Sequence, residues 1–217
     1  MTAPTPAEAW QSLIDGNRRF VAGTPNHPNQ NVERRVDLAE GQHPTVAIFG
    51  CSDSRLAAEI IFDLGLGDAF VIRNAGQVAS DSAIGSLEYA VGVLGVPLIL
   101  VLGHDECGAV RAAIDSQASD APSLTPKIEK LIGPIVPAVR RVARARRDEP
   151  LDTSAIDAGE VGREHLRDTI TDLLTGSELI SRKVVDGSVG IVGANYRLHE
   201  GTAVPDVLLG LPSAESD

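Results

Sequence analysis

The chain has 217 residues, 43% of them hydrophobic, two cysteines and a formal net charge of −11 at neutral pH. That length and apolar content suit one domain over residues 1–217 with a single sizeable core, and no stretch reads as an interdomain linker. The acidic balance argues against nucleic acid or an anionic membrane as partner, and a start of Met-Thr-Ala-Pro-Thr-Pro-Ala-Glu lacks the basic and apolar regions of a signal peptide, which points to the reducing cytoplasm.

Residues 7–21 read as an amphipathic helix, with Trp10, Leu13, Ile14, Asn17 and Phe20 recurring near helical period and Gly23 ending it. A Pro- and Asn-rich extended segment, 24–31, completes an N-terminal arm over residues 1–31. Having no obvious sheet of its own to cover, this arm is expected to pack on a neighbouring subunit. A strand at 45–50, a short helix at 57–64 and a β-branched strand at 69–73 follow. The next helix, 80–94, carries Ile84, Leu87, Val91 and Leu94 as one apolar stripe. Tyr89 lies about 200° round from Leu87 at ~100° per residue, so it faces a partner chain or a pocket.

Residues 96–102 form the most apolar strand, expected at the centre of the sheet. The apolar stretch 83–103 contains Glu88, four glycines and Pro97, and so divides into helix and strand without spanning a membrane. A helix begins over 107–114, a Ser- and Pro-containing loop covers 115–126, and a helix at 128–143 should be kinked by Pro134 and Pro137. Arg140, Arg141, Arg144, Arg146 and Arg147 cluster there with no aromatic residue between them, the pattern of a solvated helix face or a subunit contact. A polar stretch, 148–158, precedes a long helix at 163–185, a fourth parallel strand at 188–192 and an edge strand within 201–209. Strands separated by helices give an α/β fold: a mostly parallel central sheet flanked by helices, with the N-terminal helical arm attached. Such sheets bind ligands beyond the carboxyl ends of their strands.

Both cysteines sit at such ends, Cys51 in Gly-Cys-Ser-Asp-Ser-Arg and Cys107 in Gly-His-Asp-Glu-Cys-Gly. Cys51, His104 and Cys107 are two thiols and an imidazole, the soft or borderline donors that a catalytic zinc takes while its fourth tetrahedral position stays open. His104 and Cys107 are three residues apart, which one helical turn would set on one face. The competing readings are a structural disulfide and two unrelated buried thiols. Asp53 and Arg55 by themselves read as a surface ion pair worth ~0–1 kcal/mol, and beside a zinc ligand they read as part of its site. Gln42 reads equally as a solvated loop residue or a substrate ligand. His27, His43, His165 and His199 have no partner spacing that suggests a metal.

The runs Cys51-Ser-Asp53-Ser-Arg55, Arg73-Asn74-Ala75-Gly76, Leu87-Glu88-Tyr89-Ala90 and Gly103-His104-x-x-Cys107-Gly108, in this order, resemble the β-class carbonic anhydrases. Asp15-Gly16-Asn17-Arg18-Arg19-Phe20 and Val192-Gly193-Ala194-Asn195-Tyr196 fit the same family, so the resemblance covers nearly the whole chain. It implies Cys51, His104 and Cys107 as zinc ligands and Asp53 with Arg55 as a catalytic dyad. It further implies Gln42, Phe70 and Tyr89 as substrate-pocket residues of the plant-type branch, with Tyr89 across a dimer interface. Ile48 stands where the bicarbonate-inhibited branch tends to carry tryptophan, which favours the plant-type pocket. Ala75-Gly76 departs from a bulkier Val-Ala pair, and Asp105 from the usual Ser or Thr.

The implied activity is reversible hydration of carbon dioxide to bicarbonate and a proton by zinc-bound hydroxide, in a homodimer or homotetramer. Asp53 would accept the hydrogen of that hydroxide while Arg55 holds its carboxylate by a bidentate pair. Released by Arg55, Asp53 could become a fourth ligand and close the site. Two alternatives stand beside the enzyme: a zinc-stabilised, non-catalytic scaffold with a closed site, and a carbonyl sulfide or carbon disulfide hydrolase on the same fold.

Overall fold

The computed structural model describes residues 3–121, 123–146 and 151–211. In chain order its elements are α1 (Pro6–Val21), α2 (Val32–Asp37), β1 (Val46–Cys51), α3 (Ala58–Ile61), β2 (Ala69–Asn74), α4 (Asp81–Gly92) and β3 (Leu98–His104). They continue as α5 (Gly108–Asp115), α6 (Pro126–Ile132), α7 (Val136–Val142), α8 (Ala158–Gly176), α9 (Glu178–Val185), β4 (Gly190–Arg197) and β5 (Thr202–Leu209). The five strands form one sheet in the order β2-β1-β3-β4-β5, parallel except for the antiparallel pair β4 and β5. The α/β architecture, the central place of β3 and the edge strand near the C-terminus are as the sequence leads one to expect.

Period-two alternation along the strands divides the core between the sheet's two faces. Val46, Ile48, Leu98, Leu100, Leu102 and Val192 pack under α1, α5, α6 and α7. Ala47, Phe49, Ile99, Val101 and Ile191 pack under α4, α8 and α9. β1 and β3 are buried along their whole length, which is why both read as unbroken apolar runs. From β1 the chain steps to β2 on one side, then returns past β1 to β3 and on to β4. The strand order therefore reverses at the seam between β1 and β3, the position where open α/β sheets leave a crevice.

Several expectations are corrected. The N-terminal helix packs on its own chain: Trp10 is 8% and Leu13 2% exposed. Buried Asn17 clamps it in place, its Nδ2 donating to the carbonyls of Ile61 (3.1 Å) and Gly201 (2.8 Å) while its Oδ1 accepts from Ala203 N–H (3.0 Å). Buried Asp63 ties down the following segment by accepting from Arg19 Nε (2.7 Å) and from the backbone N–H groups of Asn26 and His27 (each 2.9 Å). The sequence carries no sign of α2, because its six residues bury nothing and leave no apolar period to read.

The single long helix expected at 163–185 begins earlier, at Ala158 behind an Asp157 cap, and breaks at Ser177. Ser177 caps α9 by accepting from Ile180 N–H (3.1 Å), and its hydroxyl donates to Glu88 on α4 (2.6 Å). Pro134 and Pro137 do interrupt the helix around them, with a 3-10 turn at Gly133–Ile135 separating α6 from α7. Strand β4 runs five residues past its expected end at 192, to Arg197, because β3 pairs with it as far as Tyr196 and β5 from Ile191 to Arg197. Within the basic cluster, Arg141 is paired with Glu164 and Asp168 and Arg140 donates to Gln117, while Arg147 and residues 148–150 lie outside the described residues. No helix among the described residues is long and apolar enough to cross a membrane.

Candidate metal centre

Register brings the site together. Gly50 pairs with Leu102 and Cys51 with Asn74, so the last residues of β1, β2 and β3 emerge at one edge of the sheet, with Cys51 beside the end of β3 that carries His104. Cys107 arrives as the N-cap of α5. The expected helical turn between His104 and Cys107 is instead a tight loop from strand to helix, made possible by Glu106 in the left-handed region at φ 50°. The two sulfurs are 4.0 Å apart and unbridged, and the donor atoms of Cys51, His104 and Cys107 all lie within 4.8 Å of one another. All three residues are buried. The disulfide reading is thereby set aside, and so is that of unrelated thiols.

The surroundings suit a cation. Nδ1 of His104 lies 2.7 Å from the carbonyl of Asp105, which selects the tautomer that donates there and leaves a lone pair on Nε2. That Nε2 is buried and has no hydrogen-bond partner. A buried acceptor of this kind is costly unless something fills its place, and a metal ligated by two thiolates and one imidazole does so. Cys51 accepts from the backbone N–H groups of Gly76 (3.3 Å) and Asp53 (3.4 Å). The neighbouring Cys107 thiol, and then these donors, pull the Cys51 thiol well below its ordinary range, while Cys51 and burial push Cys107 up.

Asp53 and Arg55 form the fork expected of them. Nε and Nη2 of Arg55 donate to Oδ1 (2.9 Å) and Oδ2 (2.7 Å) of Asp53, and the Arg55 N–H adds a bond to Oδ1 (2.9 Å). The guanidinium holds the Asp53 carboxyl far below the usual carboxylate range. Oδ2 of Asp53 stands 3.9 Å from His104 Nε2, so the carboxylate borders the metal position while remaining in the grip of Arg55.

Phe70 on β2 and Tyr89 on α4 lie together, ring centroids 6.1 Å apart, and Tyr89 is 47% exposed, facing away from its helix's buried stripe as anticipated. Gln42 does not join them within one chain. It is exposed in a shallow depression with Arg35, Leu38, Leu66 and Gly67, whose lining includes none of the three metal-ligand candidates. The remaining histidines stay outside the donor cluster.

Sequence reasoning missed the supports. Arg73 spans the loop after β1, its Nε donating to the Cys51 carbonyl (3.0 Å) and its Nη2 to that of Asp53 (2.7 Å). Asn74 closes the loop after β2 by bonding Val78 through both Nδ2 and Oδ1 (each 2.8 Å). Asp105, the residue noted as unusual, accepts Leu198 N–H (3.0 Å) and so anchors the His104 loop to the chain beyond β4. A polar residue on an otherwise buried helical stripe was the one legible signal: His165 stands among Val161, Leu166, Thr169 and Leu173 of α8.

Comparison with known proteins gives a consistent picture. Residues 46–203 match the family model described as carbonic anhydrase. The chain is 47% identical over 204 residues to carbonic anhydrase 2 of Mycobacterium tuberculosis, covering 94% of each chain. It is 43% identical over 203 residues to a carbonic anhydrase of Mycolicibacterium smegmatis, covering 93% of each. Among solved structures, a β-carbonic anhydrase from Sordaria macrospora, described as tetrameric, superposes with a TM-score of 0.68 at 23% identity, covering 90% of this chain and 95% of the other.

Proposed function

The chain belongs to the β-class carbonic anhydrase family, and from that premise we propose that it hydrates carbon dioxide reversibly with zinc held by Cys51, His104 and Cys107. The observation that carries this reading is the unpartnered Nε2 of His104, buried against two thiols with Asp53 alongside. Held there by Cys51, His104 and Cys107, zinc would supply Lewis-acid chemistry, the kind that lowers the pKa of water from ~15.7 toward the ~7 of the best-known site.

The protein's own contribution is orientation. Asp53 stays ionised, so beside the metal position it can only accept a hydrogen, and that fixes which lone pair of the reacting oxygen points away toward substrate. Arg55 acts through Asp53 as a positioning residue, occupying both carboxylate oxygens. That grip also disfavours the closed, scaffold-like alternative, in which Asp53 turns onto the metal. Hydrolysis of carbonyl sulfide or carbon disulfide is the other alternative, decided by assaying those substrates in parallel.

Substrate is assigned to a plant-type pocket completed by a second copy of the chain. Gln42 lies apart from the donor cluster, and Phe70 and Tyr89 form an apolar pair beside the sheet-edge strand β2 with Tyr89 exposed. A homodimer that covers this face, or a homotetramer built from two such dimers, would bring the three near a metal centre. Two buried thiols left free suit a reducing, cytoplasmic setting.

Stopped-flow carbon dioxide hydration with zinc analysis on the same samples tests the proposal. One zinc per chain and rapid hydration are expected for the wild type, with both lost in Cys51→Ser. Equal zinc in the two proteins would overturn the ligand assignment.

A further inference from the structure

We propose that His165, 114 residues from Cys51 and on a different element, is a positioning residue for that ligand, acting through the backbone of Gly76. The inference rests on the zinc reading above. Gly76 is held through the two peptide groups that flank its Cα. Its N–H points at Cys51 Sγ at 3.3 Å, and its C=O lies 2.7 Å from Nε2 of His165. A carbonyl can only accept, so Nε2 carries the hydrogen and donates.

The loop that presents Gly76 needs such a hold. Gly76 and Gln77 are consecutive left-handed residues, at φ 80° and 41°, and the second is not a glycine, so the turn is strained. At Gly76 a Cβ would come within 2.9 Å of Ala109 Cβ and 3.2 Å of Ile135 Cδ1, so only glycine lets the backbone approach the sulfur. One turn along α8 from His165, the Thr169 hydroxyl donates to the His165 carbonyl at 2.9 Å and stands 3.3 Å from the Gln77 carbonyl. Helix α8 thus holds the Gly76 carbonyl through His165 and sets the Thr169 hydroxyl against the next carbonyl, and the N–H between β2 and the metal centre is aimed as a result.

His165 itself is kept for this task at some cost. It is 2% exposed, and its Nδ1 is buried with no hydrogen-bond partner, which an apolar residue on the same stripe would avoid. Burial lowers its pKa, so the ring remains neutral. An N–H donor aimed at a metal thiolate is an outer-shell contact, and removing contacts of this class costs about 10–100-fold in metal affinity.

Three variants separate positioning from packing. In His165→Gln the side-chain amide nitrogen can stand where Nε2 stands, in His165→Asn it reaches only the Nδ1 place, and in His165→Leu no donor remains. Zinc affinity by chelator competition and the thiolate-to-metal charge-transfer band of the cobalt-substituted protein are measured for each. The Gln variant is expected to match wild type. The Asn and Leu variants should bind zinc about tenfold more weakly, with the cobalt band moved to longer wavelength because Cys51 has lost its donor. Should the Leu variant fail to fold, the comparison of Asn with Gln decides. Equal affinities and bands in Asn and Gln overturn the proposal. If wild type itself binds no zinc, the proposed function has failed; if wild type binds zinc and the variants equal it, only the role of His165 has.

Discussion

Replacing Arg55 by alanine isolates the one side chain that decides where the Asp53 carboxylate points. In the native site that carboxylate receives three hydrogen bonds from Arg55, at 2.9, 2.7 and 2.9 Å, and only the last, from the backbone N–H, survives the substitution. Oδ2 is left with no donor, 3.9 Å from the His104 nitrogen that faces the metal position. A carboxylate freed at that distance is drawn to the cation, and misplacement of a reacting group by about 1 Å is enough to cost on the order of 100-fold. We therefore expect kcat/KM to fall by at least about 100-fold, or ~2.7 kcal/mol of transition-state stabilisation, with zinc content unchanged. Stopped-flow hydration on the alkaline side, with zinc quantified in every sample, measures this. Asp53→Ala should also be slow, yet its metal should remain accessible to a small anion such as azide, whereas the Arg55→Ala site should not. Arg55→Lys restores the charge without the planar fork and should recover only part of the rate. An Arg55→Ala enzyme as active as wild type would refute the orienting role of this pair.

Because Arg55 depresses the Asp53 pKa, the carboxylate is ionised throughout the neutral and alkaline range; its contribution to stability is present above the ordinary value of ~3.9 and is lost only as pH falls through the lower folded value. Asp53 therefore gives no inflection near neutrality, and under the proposed zinc reading the rise in kcat/KM expected there would come from a water made less acidic by two thiolate ligands; a profile flat from neutral to alkaline pH contradicts this. Tyr89→Asp places a charge on the exposed Phe70–Tyr89 face and should shift the assembly toward monomer by light scattering, an idea that a fully active wild-type monomer would sink. Gly16→Ala drives a methyl into the Phe62 carbonyl where α1 meets α3, so stability should drop by about 1–3 kcal/mol, lowering Tm by about 2–4 °C for each of these; an unchanged Tm would mean that α1 is not packed as described.

The sequence by itself determined the elements that strong periodicity writes locally. The buried runs that became β1 and β3, the stripe of α4 with Tyr89 opposite it, and the kink at Pro134 and Pro137 are legible because side-chain period and missing N–H groups act within a few residues. The donor set was legible for a similar reason: two thiols, one imidazole and an Asp-x-Arg fork are chemically conspicuous at strand ends. Where no such signal exists the reading failed, as at α2, which buries nothing, and at Ser177, whose break depends on a hydroxyl bond to Glu88 in another helix. Only the tertiary structure decided that α1 belongs to its own chain, that Gln42 stands apart from the metal centre within one protomer, and that His165 reaches the carbonyl of Gly76, the residue whose N–H points at Cys51. These are contacts between residues far apart in the chain, such as the 89 separating His165 from Gly76. No spacing rule encodes them, because strand register and helix packing, acting on all the side chains at once, set where each backbone group comes to lie.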